Sequence, residues 1–172
     1  MTETLSIMTA GMADLPLLAS ISRETFADTF SAYNTAEDMQ AYADTYFTDT
    51  ALLNEMKTPG HQFLLAFKKG NCAGYALIRE ETTGEMPEDT AMELARLYVR
   101  PPFIGQGIGK HIMEQVMQSA GDAGKTWLWL GVWEFNLRAI RFYRSFGFEK
   151  FAEHDFVLGK DIQRDWLMRK KI

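Results

Sequence analysis

Gly105, Gly107 and Gly109 alternate with Gln106 and Ile108 between an apolar stretch, Glu93–Val99, and a run with helical periodicity. The first turn of a helix has unpaired N–H groups and a partial positive charge. Glycines at that turn leave the amides uncovered, so a pyrophosphate can approach them directly. Lys110 adds a cation beside them. Further along, Asn136 precedes a helical stretch that carries Phe142 and Tyr143 and ends at Gly147-Phe148. Strand, glycine turn, helix, strand and tyrosine-bearing helix, in that order, suit a pyrophosphate-bearing cofactor with a proton donor beside it. The glycines alone leave two other readings open. One is a tight strand-to-helix turn with no ligand. The other is a dinucleotide fold, where an acidic residue about twenty positions on binds a ribose. Glu134 satisfies that test, but a turn past the middle of the chain leaves few residues for such a fold.

The elements that must position these residues follow from periodicity and turn chemistry. Leu5–Thr9 reads as a first strand. Asp14 is the expected N-cap of a helix to Phe30, with Leu15, Leu17, Leu18, Ile21 and Phe26 as its apolar stripe. Thr35 caps a second helix, Ala36 to Phe47, with Asp38 at the third position where a capping box prefers Glu or Gln. A short helix, Ala51 to Met56, stops before Pro59-Gly60. Gln62–Phe67 and Cys72–Arg79 are strands joined through Lys69-Gly70-Asn71, a hairpin signal. The polar, acidic stretch Glu80–Thr90 reads as a loop. From there strands and helices alternate, which favours parallel pairing with a helical crossover. Ile108, Ile112, Met113, Val116, Met117 and Ala120 form one face of the helix after the glycine turn. Trp127–Trp133 is apolar at nearly every position, as a strand covered on both faces must be. Phe148–Leu158 and Ile162–Arg169 form a closing hairpin around Gly159-Lys160-Asp161. The fold class is α/β in content, with a central mixed, mostly antiparallel sheet flanked by helices.

The chain has 172 residues, 47% of them apolar, which fits one globular domain over 1–172. No apolar run approaches the length of a membrane span, and the N-terminus lacks a signal-peptide pattern. With one cysteine, Cys72, no internal disulfide can form, so a reducing cytoplasm is expected. A net charge of −5 argues against nucleic acid and is compatible with a cationic substrate or with simple solubility. His61, His111 and His154 show no metal-ligand spacing, so no metal site is expected. The ten methionines read as core filler.

The stretch from Ala91 to Phe148 resembles the GNAT superfamily of acetyl-coenzyme A-dependent N-acetyltransferases, and the rest of the chain follows it in outline. The family's phosphate motif is Gln/Arg-x-x-Gly-x-Gly/Ala. Its two glycines fall on Gly107 and Gly109, while Ile104 stands where the family has Gln or Arg, which removes one side-chain contact. The resemblance implies acetyl-CoA as cofactor, with coenzyme A as product. It assigns cofactor contacts to Leu97, Tyr98 and Val99 on the strand and to Ile104, Gly105, Gln106, Gly107, Ile108, Gly109 and Lys110 at the turn. On the second helix it assigns them to Asn136, Ala139, Phe142, Tyr143 and Arg144, and a solvated Arg144 fits as well. A finer resemblance, to bacterial spermidine/spermine N-acetyltransferases, is carried by Glu93–Val99, Trp129–Trp133, the tail His154–Gly159 with Asp165, and the region Thr25–Phe47. It implies a polyamine acceptor. Homodimers are common in the superfamily.

The chemistry asks for specific groups. An amine must be neutral to attack a thioester, yet with a pKa near 10.4 only about one in a few thousand is neutral at pH 7. Glu93, beside the expected thioester, is the candidate base, acting through a water. Its parity matches Ala91, Ala95, Leu97 and Val99 unless a bulge breaks the register. Pairing with Arg96 or Arg79 is the alternative. The resemblance implies an oxyanion donor among the backbone N–H groups of Leu97–Val99, where the parallel strands would splay. It makes Tyr143 the general acid for the departing thiolate; a core aromatic is the alternative. Asn136 would cap its helix and contact the pantetheine.

For the acceptor, the resemblance places the first two helices and the closing hairpin around the amine. Glu24, Asp28, Glu37, Asp38 and Asp44 could then bind a polycation, as could the acidic loop from Glu80 to Asp89, or they form a solvated face. Phe26, Tyr33, Tyr42 and Tyr46 could line its methylenes or fill the core. Three functions stay open: a small-molecule amine acetyltransferase, a protein or peptide N-acetyltransferase, and a non-catalytic coenzyme A-binding module.

Overall fold

The computed structural model describes residues 5–86 and 90–172. Among the described residues, seven strands form one sheet: β1 (Leu5–Thr9), β2 (His61–Lys68), β3 (Asn71–Arg79), β4 (Ala91–Val99), β5 (Trp127–Trp133), β6 (Glu149–Leu158) and β7 (Asp161–Lys171). Their spatial order is β1-β2-β3-β4-β5-β7-β6. Every pairing is antiparallel except β4 with β5. The crossover between those two carries α4 (Ile108–Asp122); α1 (Leu15–Phe30), α2 (Ala36–Tyr46), α3 (Asp49–Lys57) and α5 (Leu137–Ser145) complete the helices. The mixed, mostly antiparallel sheet expected from the sequence is present, and no described helix is long and apolar enough to cross a membrane.

Both faces of the sheet are covered, which explains the unbroken apolar strands. Along β2, Phe63 and Leu65 pack with Leu18 and Ile21 of α1 and Leu52 of α3. Leu64 and Ala66, one residue out of phase, pack on the other side with Ile112, Met113 and Val116 of α4. A third cluster, Phe26, Phe30, Phe47 and Leu158, joins the first two helices to the tail hairpin.

The helix starts differ from expectation in detail. Asp14 directs its carboxylate back to the Gly11 N–H at 2.8 Å and makes no side-chain cap on α1. A short 3-10 turn at Met12–Asp14 intervenes, so the capped amide belongs to that turn. Thr35 does cap α2, accepting the Asp38 N–H at 3.1 Å. Asp38 is too short to close the box and instead accepts the Lys160 N–H of the β6–β7 turn at 2.9 Å. Thr48 caps α3 through the Ala51 N–H at 3.1 Å, so that helix begins two residues earlier than expected. The β2–β3 loop is Lys69-Gly70 alone, with φ of 51° and 76°, the left-handed pair a two-residue hairpin requires.

Two irregularities shape the centre of the sheet. In β3–β4, Leu77 pairs with Arg96 but Ile78 pairs with Leu94, so Ala95 is an extra residue. This bulge changes which face the strand's side chains meet. Met92 and Leu94 before it, and Leu97 and Val99 after it, all pack toward α4. The parallel pairing of β4 with β5 covers only Ala91–Trp127, Met92–Leu128 and Glu93–Trp129. Both strands continue past it unpaired with each other, and the sheet opens there.

Candidate active site

The opening between β4 and β5 widens into a cleft of about 1090 Å³. One arm runs under the start of α4 and along α5; the other lies among α1, α2, β5 and the tail hairpin.

In the first arm the backbone does most of the binding work. Gly107 caps α4 in the left-handed region, at φ +80°, with no side chain over the helix mouth. A residue with a Cβ would be strained there. The first amide of the helix to find an intrachain acceptor is that of His111, bonded to the Gly107 carbonyl at 3.2 Å. The amides of Ile108, Gly109 and Lys110 therefore stand ready for an anion. Asn136 caps α5, its Oδ1 accepting the Ala139 N–H at 3.1 Å. Leu97, Tyr98, Val99, Ile104, Gly105, Gly107, Ile108, Gly109, Lys110, Asn136, Ala139, Phe142 and Tyr143 all line the cleft. Burial holds the Tyr143 phenol well above its ordinary pKa, so it stays protonated, and among the described residues its hydroxyl has no hydrogen-bond partner.

Three expected residues are placed elsewhere. Gln106 does not line the cleft: its amide side chain donates to the Pro102 carbonyl and accepts from Lys68 Nζ, both at 2.8 Å. Arg144 lies outside it too, its guanidinium 5.6 Å from the centre of the Trp166 ring. Glu93 is the larger correction. The bulge at Ala95 separates its face from that of Leu97 and Val99, and it does not line the cleft. Its carboxylate lies 3.5 Å from Arg79, which also pairs with Glu55; Arg96 bonds the same Glu55 at 2.9 Å. Burial pushes the Glu93 pKa up while Arg79 draws it down, the signature of a buried ionic cluster.

Sequence reading missed Arg138 and Arg141, both exposed and both lining the cleft one helical turn apart on α5. Their i, i+3 spacing was the available signal. It gave no individual role to Trp133, Phe135, Phe156, Gly131 and Asp165, which line the second arm, although all but Phe135 lie in the segments that carry the finer resemblance. There the aromatic rings form a continuous wall. Phe26 stacks on Tyr42 at 4.5 Å, Tyr42 reaches Phe156 at 5.7 Å, and Tyr33 meets Trp133 at 4.9 Å. Of the acidic candidates, only Asp28 lines the cleft, and it has no ion-pair partner among the described residues. Glu24 holds Arg100 at 2.8 Å, Glu37 lies 3.6 Å from Lys160, and Asp44 lies 3.3 Å from Arg23. Glu80 and Glu81 pair with Lys125 and His61; Glu88 and Asp89 lie outside the described residues. Asp165 lines the arm, where desolvation raises its pKa to about 6 against the pull of His154. Of the expected aromatic residues, Phe26, Tyr33 and Tyr42 line the arm and Tyr46 does not.

The first arm suits a coenzyme A thioester. Uncovered amides at the start of α4 and the cations Lys110, Arg138 and Arg141 border it and could hold phosphates, and the strands part beside Tyr143, where a pantetheine could enter. Comparison with known proteins agrees. Residues 22–148 match the acetyltransferase (GNAT) family. An uncharacterized N-acetyltransferase of Lactobacillus delbrueckii subsp. lactis is 39% identical over 160 residues, 92% of each chain. The PaiA N-acetyltransferase of Thermoplasma acidophilum, crystallised with coenzyme A, superposes with a TM-score of 0.80 at 22% identity, over 98% of this chain and 99% of that one. YncA of Salmonella typhimurium, crystallised with acetyl-CoA, gives a TM-score of 0.71 at 21% identity, over 98% and 94%. At these identities the structural likeness is one of fold, while the family match spans most of the chain. This chain belongs to the GNAT family and is an acetyl-CoA-dependent acetyltransferase.

Proposed function

We propose that the protein acetylates a primary amine of a small cationic molecule, with polyamines such as spermidine and spermine the leading acceptors. The observation that carries this reading is the second arm of the cleft: an aromatic wall with the unpaired Asp28 carboxylate at its edge. Aromatic faces and a carboxylate together attract an alkylammonium and cover its methylene stem. The arm is also closed on one side. Asp38 and Glu37 of α2 hold Lys160, and Gln163 donates to Asn34 at 2.7 Å, so the helices are clasped to the tail hairpin. A peptide substrate would need that side open.

The chemical roles follow from position. Gly107–Lys110 amides, Lys110, Arg138 and Arg141 hold the phosphates of acetyl-CoA, whose thioester supplies the activated acetyl group. Unpaired N–H groups on β4 beyond Glu93 face the opening and stabilise the oxyanion that develops on the acetyl carbonyl. Tyr143 donates its hydroxyl hydrogen bond to the departing sulfur. A buried, unpaired Cys72 is compatible with a cytoplasmic setting. The homodimer implied by the family resemblance is tested by light scattering. Thiol release measured with spermidine, spermine, amino acids, aminoglycosides and a peptide tests the acceptor. Preference for the polyamines supports the reading, and turnover of the peptide alone overturns it.

A further inference from the structure

Beyond the acceptor wall, the tail hairpin brings two ionisable side chains to the lip of the opened sheet. His154 of β6 and Asp165 of β7 are directly opposite each other, and Trp133 of β5 is opposite Asp165 on its other side. Gly131, two residues before Trp133, shares its face. A Cβ built on Gly131 would lie 3.3 Å from Asp165 Oδ2 and 3.6 Å from His154 Nε2. Both side chains therefore lean over Gly131, where a Cβ would crowd the Asp165 carboxylate. Gly131 lies past Trp129, the last β5 residue paired with β4, so this edge borders the opening.

The two groups differ in exposure. The Asp165 side chain is 13% exposed and the His154 side chain 47%, with Nε2 and Oδ2 3.7 Å apart. Asp165 lines the cleft, and its Oδ1 is buried with no hydrogen-bond partner. A desolvated carboxylate with one idle oxygen lines the acceptor arm, and a half-exposed imidazole stands 3.7 Å from its other oxygen. His154 is the one charged group acting on Asp165 from β6; its β5 neighbours, Gly131 and Trp133, do not titrate. Arg164, adjacent in sequence, pairs instead with Glu153 at 3.4 Å.

We propose that Asp165 and His154 form a proton relay for the acceptor amine, Asp165 accepting the ammonium proton inside the cleft and His154 passing it to solvent. The ammonium gives one N–H proton to Asp165. The freed nitrogen lone pair forms the C–N bond to the acetyl carbon as the C–S bond breaks. The second proton lost by nitrogen ends on the departing thiolate, and the relay's proton leaves through the exposed imidazole. Asp165 is the catalytic residue of the pair and His154 the positioning one. This inference rests on amine acetylation but not on which amine is used.

Two variants test it, Asp165→Asn and His154→Gln. In the cofactor-free protein, carbon NMR of the side-chain carboxyls follows Asp165 directly, its signal identified by loss in Asp165→Asn. Its midpoint near pH 6 should rise in His154→Gln, because the imidazolium that favours the carboxylate is gone. The acid limb of kcat/KM should rise with it. At neutral pH, Asp165→Asn should lower kcat by about 10²- to 10⁴-fold while KM for the amine stays within about three-fold. Coenzyme A affinity by calorimetry should be unchanged in both variants, since neither residue is at the phosphate cradle. A carboxyl midpoint indifferent to His154, an acid limb that does not follow it, or an Asp165→Asn loss confined to KM would overturn the relay. If Asp165→Asn does not fold, the acid limb of kcat/KM in His154→Gln decides: a rise supports the relay and an unmoved limb overturns it. If the wild-type protein turns over only the peptide, the acceptor reading fails and the same variants judge the relay on the peptide.

Discussion

The two arms of the cleft are built from different materials. The cofactor arm is made largely of backbone: the amides of Ile108, Gly109 and Lys110, the left-handed Gly107 and the cap at Asn136. The acceptor arm is made of side chains from α1, α2, β5, β6 and β7. Backbone donors at a helix start bind any phosphate presented to them. Side chains converging from five elements select by shape and charge instead. On the proposed reading the first arm serves the cofactor and the second selects the acceptor.

The largest test of this contrast is at the cradle. Gly107→Val puts a β-branched side chain on a backbone with φ +80° and over the helix mouth. Calorimetry should show coenzyme A affinity falling by about 100-fold or more, a loss of about 2.7 kcal/mol. Affinity within a few-fold of wild type would mean the amides are not the grip. Next in size is Tyr143→Phe, which removes a hydroxyl and leaves the ring packed between Phe142 and Phe148. Turnover at saturating cofactor should drop about ten-fold or more while coenzyme A affinity holds. Unchanged turnover would make Tyr143 a packing residue. Asp28→Asn acts on the other arm alone. An exposed carboxylate contributes modestly, so KM for a cationic amine should rise about two- to five-fold at low salt, with kcat little changed. An equal effect on an uncharged amine would show that Asp28 does not act by charge. The smallest effect is expected from Glu93→Gln, whose turnover should stay within about three-fold of wild type, far from the scale of a lost general base. A loss of about 100-fold would return Glu93 to the chemistry.

The cofactor arm was legible in the sequence because its signals are local. Glycine spacing, the Asn136 cap and the apolar face of α4 each lie within a few consecutive residues. Tertiary contacts decided the rest. Glu93 follows the expected parity only in a regular strand, and the extra residue at Ala95 is set by pairing with β3. Arg144 and Arg141 are equivalent as isolated letters, yet one guanidinium lies over Trp166 and the other residue borders the cleft. Acidic residues on α1 and α2 were recognisable as candidates, but their partners Arg100, Arg23 and Lys160 lie far along the chain or on another helix. Asp165 and His154 stood out in the sequence only as parts of a resemblance; register is what sets them side by side and over Gly131.

We expect the amides at the start of α4 to hold the cofactor while the opening between β4 and β5 presents its acetyl carbon to the second arm. A crystal structure with coenzyme A and an acceptor amine tests it most directly. The pyrophosphate should lie against the Ile108, Gly109 and Lys110 amides, the sulfur beside the Tyr143 hydroxyl, and the amine between Asp28 and Asp165. A pyrophosphate bound away from α4, or a sulfur that never enters the gap past Glu93 and Trp129, would contradict it.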